Sequence, residues 1–73
     1  MASLANHSGK EVAKAFGRAG WSAVGQVGSH LVLTKPGERA NLSIPLHKEV
    51  AVGTLRALIR AARMDVDESL TLL

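Results

Sequence analysis

Apolar and polar positions recur along this chain with two periods. Val12, Phe16 and Ala19 lie four and three residues apart, the spacing of one helix face. Lys10, Lys14 and Arg18 repeat every fourth residue on a different, solvated face. Ser8-Gly9-Lys10-Glu11 precedes the apolar stripe in the order of a capping box. There the Ser8 hydroxyl accepts from the amide three residues on, and Glu11 reaches back to the Ser8 amide. A helix is predicted from this point to about Ala19. Gly20 ends it, because glycine takes the left-handed conformation of a helix terminus. Met1 to His7 reads as a loose start.

The pattern then changes to period two. Trp21 to Val27 predicts a first strand, with weak alternation. Gly28-Ser29 interrupts it, and His30 to Thr34 predicts a second; a Gly-containing pair between two strands predicts a hairpin. Pro36-Gly37 favours a type II turn. Asn41 to Pro45 alternates cleanly as a third strand. Pro45 has no amide hydrogen to donate, so the strand ends there or lies at an edge.

Leu46 to Val52 connects to a second helix opened by Gly53-Thr54, with Thr54 as cap or first-turn residue. Leu55, Leu58, Ile59 and Ala62 form its apolar face, and Arg56, Arg60 and Arg63 a basic stripe on another. Asp65 and Glu68 form a second capping pattern, before a short helix carrying Val66, Leu70 and Leu73. The predicted architecture is one α+β domain over residues 1–73. It has two layers, a helix, a three-stranded antiparallel sheet and a helix, with a short C-terminal helix and both main helices on one sheet face.

Composition narrows the chemistry. At 73 residues only roughly 60% of the unfolded chain's surface is buried on folding, so the core is thin. The absence of Cys excludes a disulfide framework, a thiolate metal site and a thiol nucleophile, and points to the cytoplasm. No apolar run approaches the roughly 18 residues of a membrane span, and the first ten residues lack a signal-peptide core. Phe16 and Trp21 are the only aromatic residues. A base-stacking sheet needs about three aromatics on one face, which this chain cannot supply, and both of these fall where packing uses them. Residues 1–63 carry all nine Lys and Arg with Glu11, Glu38 and Glu49, a net +6, and residues 64–73 add −3 from Asp65, Asp67 and Glu68. A single basic stripe is ordinarily a solvated face. Two on adjacent helices point to a phosphate-bearing partner met through its backbone.

Few residues can carry out catalysis here. There is no phosphate-binding glycine motif, and His7, His30 and His47 are spaced too irregularly for a metal site. Six carboxylates, three of them in the tail, argue against a paired-carboxylate hydrolase. Histidine is then the expected proton carrier, since it changes charge near neutral pH. His30 is the best placed, at a hairpin mouth beside Gly28 and Ser29, whose amides can meet a phosphate. On composition alone it reads first as a polar residue at the start of a strand. His47 reads as a turn residue, and His7 lies near the terminus.

Several segments in order resemble the HicA toxin family. They are Ser8-Gly9-Lys10-Glu11-Val12, Gly20-Trp21, Gly28-Ser29-His30, Ile44-Pro45-x-His47 and Gly53-Thr54-Leu55-Arg56-x-Leu58-Ile59. The resemblance runs from about Ser8 to the C-terminus. It implies a double-stranded-RNA-binding-domain-like fold and a bacterial, cytoplasmic type II toxin that cleaves mRNA without a metal or other cofactor. It also implies a single key histidine, His30, and a HicB-like protein antitoxin that covers it. This chain departs from the family pattern at three positions. Leu31 stands where many members have a second His or a larger residue, Val27 where a basic residue often precedes the Gly-Ser-His, and Arg63 where a glycine often closes the second helix.

RNA supplies its own nucleophile, the 2′-OH, so a metal-free enzyme can cleave it by in-line attack on the adjacent phosphorus. His30 would be general base, general acid or both in turn. The Gly28 and Ser29 amides and Lys10, with Lys14, Arg56 and Arg60, would stabilise the phosphorane. DNA, which lacks that hydroxyl, would be untouched. Two other readings fit the same residues. One is a non-catalytic RNA-binding module of the same fold, and the other a protein-binding domain whose basic faces meet an acidic partner.

Overall fold

The computed structural model describes residues 3–73. Helix α1 (Gly9–Arg18) leads into strands β1 (Ser22–Val27), β2 (His30–Thr34) and β3 (Leu42–Pro45), then helices α2 (Val52–Ala61) and α3 (Val66–Leu72). The strands pair in chain order as one antiparallel sheet. This is the α+β layout that the periodicity predicts.

Local chemistry sets the ends of α1. The Glu11 amide donates to Ser8 Oγ over 3.1 Å, and the Ser8 amide to Glu11 Oε1 over 3.4 Å, closing the capping box. At the other end Gly20 has φ +101°. The Trp21 amide reaches back to the Phe16 carbonyl over 3.0 Å and the Gly20 amide to Gly17 over 3.1 Å. These two bonds make a Schellman motif, and the buried rings of Phe16 and Trp21 flank it. Neither aromatic is therefore available to stack on a base.

Helix α2 begins differently from expectation. Its N-cap is Ala51, with no side-chain cap bond, and Thr54 lies in the first turn without capping it. Its apolar face is as predicted, with Leu55, Leu58, Ile59 and Ala62 all buried. It also ends in a Schellman motif: the Met64 amide donates to the Ile59 carbonyl and the Arg63 amide to Arg60. Arg63 occupies the left-handed position, φ +60°.

Leu33, Leu42 and Ile44 point from the sheet into the core, with Leu31 packed at its margin. By alternation, His30, Val32 and Ser43 belong to the opposite, open face. Trp21 lies before β1 and is buried, so the strand is shorter than predicted. All six residues of β1 are exposed, and a register shift between Ala23 and Gly25 bulges the strand at Val24. A strand with no buried face has no reason to alternate, which explains the weak period of this segment. The sheet's buried side chains come from β2 and β3, and β1 is an edge strand that contributes none.

Two terminal segments complete the core. The loose start read for Met1 to His7 lies outside the described residues at positions 1 and 2. From Ser3 onward it is a packed turn. Leu4 is buried, and the Val50 amide donates to the His7 carbonyl over 2.7 Å. Leu70 and Leu73 pack against the core and Ser69 is buried, while Val66 faces solvent. Asp65 caps α3 by accepting from the Glu68 amide over 2.6 Å, and Arg18 Nη1 donates to the Leu72 carbonyl over 2.6 Å.

Candidate active site

The β1–β2 turn is built by Gly28 at φ +59°, with Val27 paired to His30. A positive φ at the first central residue alone is the type II′ arrangement, which glycine adopts without strain. His30 is thus the first residue of β2, on the open sheet face and exposed. Among the described residues, neither the Gly28 nor the Ser29 amide donates to another backbone group. The Gln26 side chain ties the turn by donating to the Gly28 carbonyl over 2.9 Å.

The other wall of the site is the segment leaving β3. His30 pairs with Pro45 across the ladder, so the chain beyond Pro45 runs alongside the Gly28-Ser29 turn. The Leu46 amide donates to the Ser29 carbonyl over 2.7 Å, one step past the strand. The Gly9 amide, at the start of α1, donates to the His47 carbonyl over 2.9 Å. These bonds bring the His47 ring edge-on to the His30 ring, with centroids 6.4 Å apart and planes at 66°. His47, read from sequence as a turn residue, therefore lies beside His30. Its place two residues beyond the strand partner of His30 was the available signal. Gly9 was missed as a contributor: only glycine permits this approach of α1, since a Cβ there would lie 2.2 Å from the Pro45 carbonyl oxygen.

The basic residues are dispersed. Lys10 follows Gly9 in the first turn of α1 and is exposed. Lys14 lines a groove with Glu11, Arg18 and Leu73. Arg56 and Arg60 line another with Ile59, Met64, Asp65 and Val66. Neither groove includes His30. Gly28, Ser29, His30 and His47 form one locus, with Lys10 beside Gly9 on the chain. Lys14, Arg56 and Arg60 provide positive charge in grooves whose lining includes neither His30 nor His47.

His7 is engaged elsewhere. Its Nε2 bonds the Ser3 carbonyl over 2.7 Å, and its Nδ1 pairs with Glu11 Oε2 over 3.2 Å. The Ser3 carbonyl, then the Glu11 carboxylate, raise its pKa above the usual value. The His7 ring, with the Ser8 amide, lowers that of Glu11. Among the described residues no group of three or more His, Asp or Glu is placed to hold a metal ion. No described helix is long and apolar enough to cross a membrane.

No curated protein matches the chain. The family model described as HicA toxin of bacterial toxin–antitoxin matches residues 9–64. That span runs from the glycine that abuts β3, through the His30 turn and the His47 loop, to the residue that closes α2. The chain belongs to the HicA toxin family.

Proposed function

We propose that this toxin is a metal-independent endoribonuclease that cleaves mRNA and so arrests translation and growth, with His30 as its key histidine. The observation that carries the reading is an exposed imidazole directly after a turn whose two amides have no backbone partner among the described residues, in a chain of a toxin family. The substrate's 2′-OH attacks the adjacent phosphorus, and the 5′-oxygen of the next nucleotide leaves. The products are a 2′,3′-cyclic phosphate and a 5′-hydroxyl. Proton transfer by a positioned imidazole contributes typically about 10²–10⁴-fold. The Gly28 and Ser29 amides, with Lys10, stabilise the charge that builds on phosphorus. Lys14, Arg56 and Arg60 hold more distant phosphates of the strand. Burial of both aromatics fits recognition of the sugar-phosphate backbone.

Membership in a toxin–antitoxin family brings an antitoxin as partner. In this reading it is a HicB-like protein that covers the His30 turn, and both act in the bacterial cytoplasm. The test is incubation of purified protein with RNA and with DNA in EDTA. Wild-type protein cleaves the RNA and leaves the DNA intact, and folded His30→Ala cleaves neither and does not arrest growth. A His30→Ala protein that still degrades RNA and still arrests growth would overturn the assignment. RNA binding without cleavage by the wild type would replace it with the non-catalytic RNA-binding module.

A further inference from the structure

We infer that His47 is the second proton-transfer group of the site, so that His30 and His47 divide the general-base and general-acid roles between them. This rests on the ribonuclease reading above and deepens it. Cleavage through the 2′-OH requires two proton transfers. One imidazole takes the proton of the 2′-OH as the O2′–P bond forms. The other, as imidazolium, gives a proton to the 5′-oxygen as the P–O5′ bond breaks. In an in-line displacement those two oxygens stand on opposite sides of phosphorus, so a single imidazole would have to move its proton across the reacting group. Two imidazoles, one serving each oxygen, avoid that movement. After one turnover the base is protonated and the acid neutral, and exchange with solvent resets both.

Three observations support the pair. The first is separation. Each ring has to bring one nitrogen within about 2.6–3.2 Å of an oxygen on the same phosphate. Centroids 6.4 Å apart place both rings within reach of different oxygens of one phosphoryl group resting across their exposed edges. The second is availability. Of the three histidines, His7 has both ring nitrogens bonded within the protein, while His30 and His47 are exposed and, among the described residues, have no hydrogen-bonded partner on their rings. The third is backbone support. The Leu46–Ser29 and Gly9–His47 bonds tie the two histidine-bearing segments to each other and to α1, so their spacing is built into the fold. Lys48 and Glu49 beside His47, and Lys10 beside Gly9, are the neighbouring charged groups along these segments.

A leaving-group experiment tests this. Wild-type protein first maps a cleavage site in a test transcript. An RNA oligonucleotide of that site is then made with the normal 5′-oxygen and with sulfur replacing it. Sulfur leaves without a general acid but still requires a base. His30→Ala, His47→Ala and His47→Gln, each checked for folding by circular dichroism, are compared on both substrates. The expected result is a loss of about 10²–10⁴-fold for each variant on the oxygen substrate. On the sulfur substrate, replacement of one histidine, and only one, is rescued to near the wild-type rate. Wild-type activity of His47→Ala on the oxygen substrate would overturn the inference. So would rescue of both histidines or of neither, which is the signature of a positioning role. Failure of the wild type to cleave RNA at all would overturn the ribonuclease reading itself, and this inference with it.

Discussion

The Gly9 amide donates to the His47 carbonyl over 2.9 Å, from a Cα packed so tightly that a Cβ would lie 2.2 Å from the Pro45 oxygen and 2.8 Å from the Leu46 Cα. Both obstacles are backbone, so neither can swing aside. Gly9→Ala is expected to destabilise the fold by about 1–3 kcal/mol, as overpacking does, and to displace the loop that carries His47. At Gly17, in the same helix, a Cβ would meet nothing within 4 Å. Gly17→Ala is therefore expected to stabilise by about 0.5–1 kcal/mol, since Ala restricts the unfolded chain and favours the helix. Urea unfolding of the two variants checks the opposite signs.

The His7–Glu11 pair makes stability depend on pH in two windows. His7 is raised, first by the Ser3 carbonyl and then by Glu11, so the folded state favours its charged form. That contribution is fully present below about pH 6.5 and lost as pH rises through the higher folded value. Glu11 is lowered, first by His7 and then by the Ser8 amide. Its contribution is present above the usual carboxylate range and lost as pH falls through the lower folded value. His7→Gln is expected to flatten the decline in melting temperature between about pH 6 and pH 8. An unchanged slope would remove His7 as its source.

Arg63 is the left-handed residue of the α2 terminus, φ +60°, where a side chain costs about 1–2 kcal/mol and glycine costs little. Arg63→Gly is expected to stabilise by about 1 kcal/mol, which in a domain of this size raises the melting temperature by about 4–8 °C. Arg63→Ala keeps a Cβ and should give no such gain. Calorimetry on both separates backbone strain from loss of the charge.

The C-terminal helix closes the core through Leu70 and Leu73, and Arg18 binds the Leu72 carbonyl. Deletion of residues 65–73 is expected to abolish cooperative unfolding. A truncated protein that folds normally but no longer binds its antitoxin would instead make this helix a partner surface.

Arg56 and Arg60 line a groove whose lining includes no histidine. If they hold phosphates of the RNA strand, replacing either with Ala weakens binding evenly across RNA sequences and lowers the slope of log affinity against log salt by about one. Binding isotherms over a salt series measure this. An unchanged slope would assign the stripe to solvent.

Much of this fold depends on residues within five positions of one another, and that part was legible in advance. The Ser8–Glu11 box, the stripe through Val12 and Phe16, the left-handed Gly20 and the hairpin glycine each act locally. The Pro36-Gly37 turn does too, with Gly37 at φ +86° and the Glu38 amide bonded to the Lys35 carbonyl over 3.0 Å. The sequence alone therefore determined the element order, the sheet direction and the place of His30 at a hairpin mouth. Three features depend on partners far away in the chain. Leu4 is in the core because the chain beside it is held by Val50. β1 has no buried face because the core takes its sheet side chains from β2 and β3. His47 meets His30 because Gly9 permits α1 to rest on the exit of β3. No period or local propensity encodes these contacts, and only the docking of helix on sheet decides them.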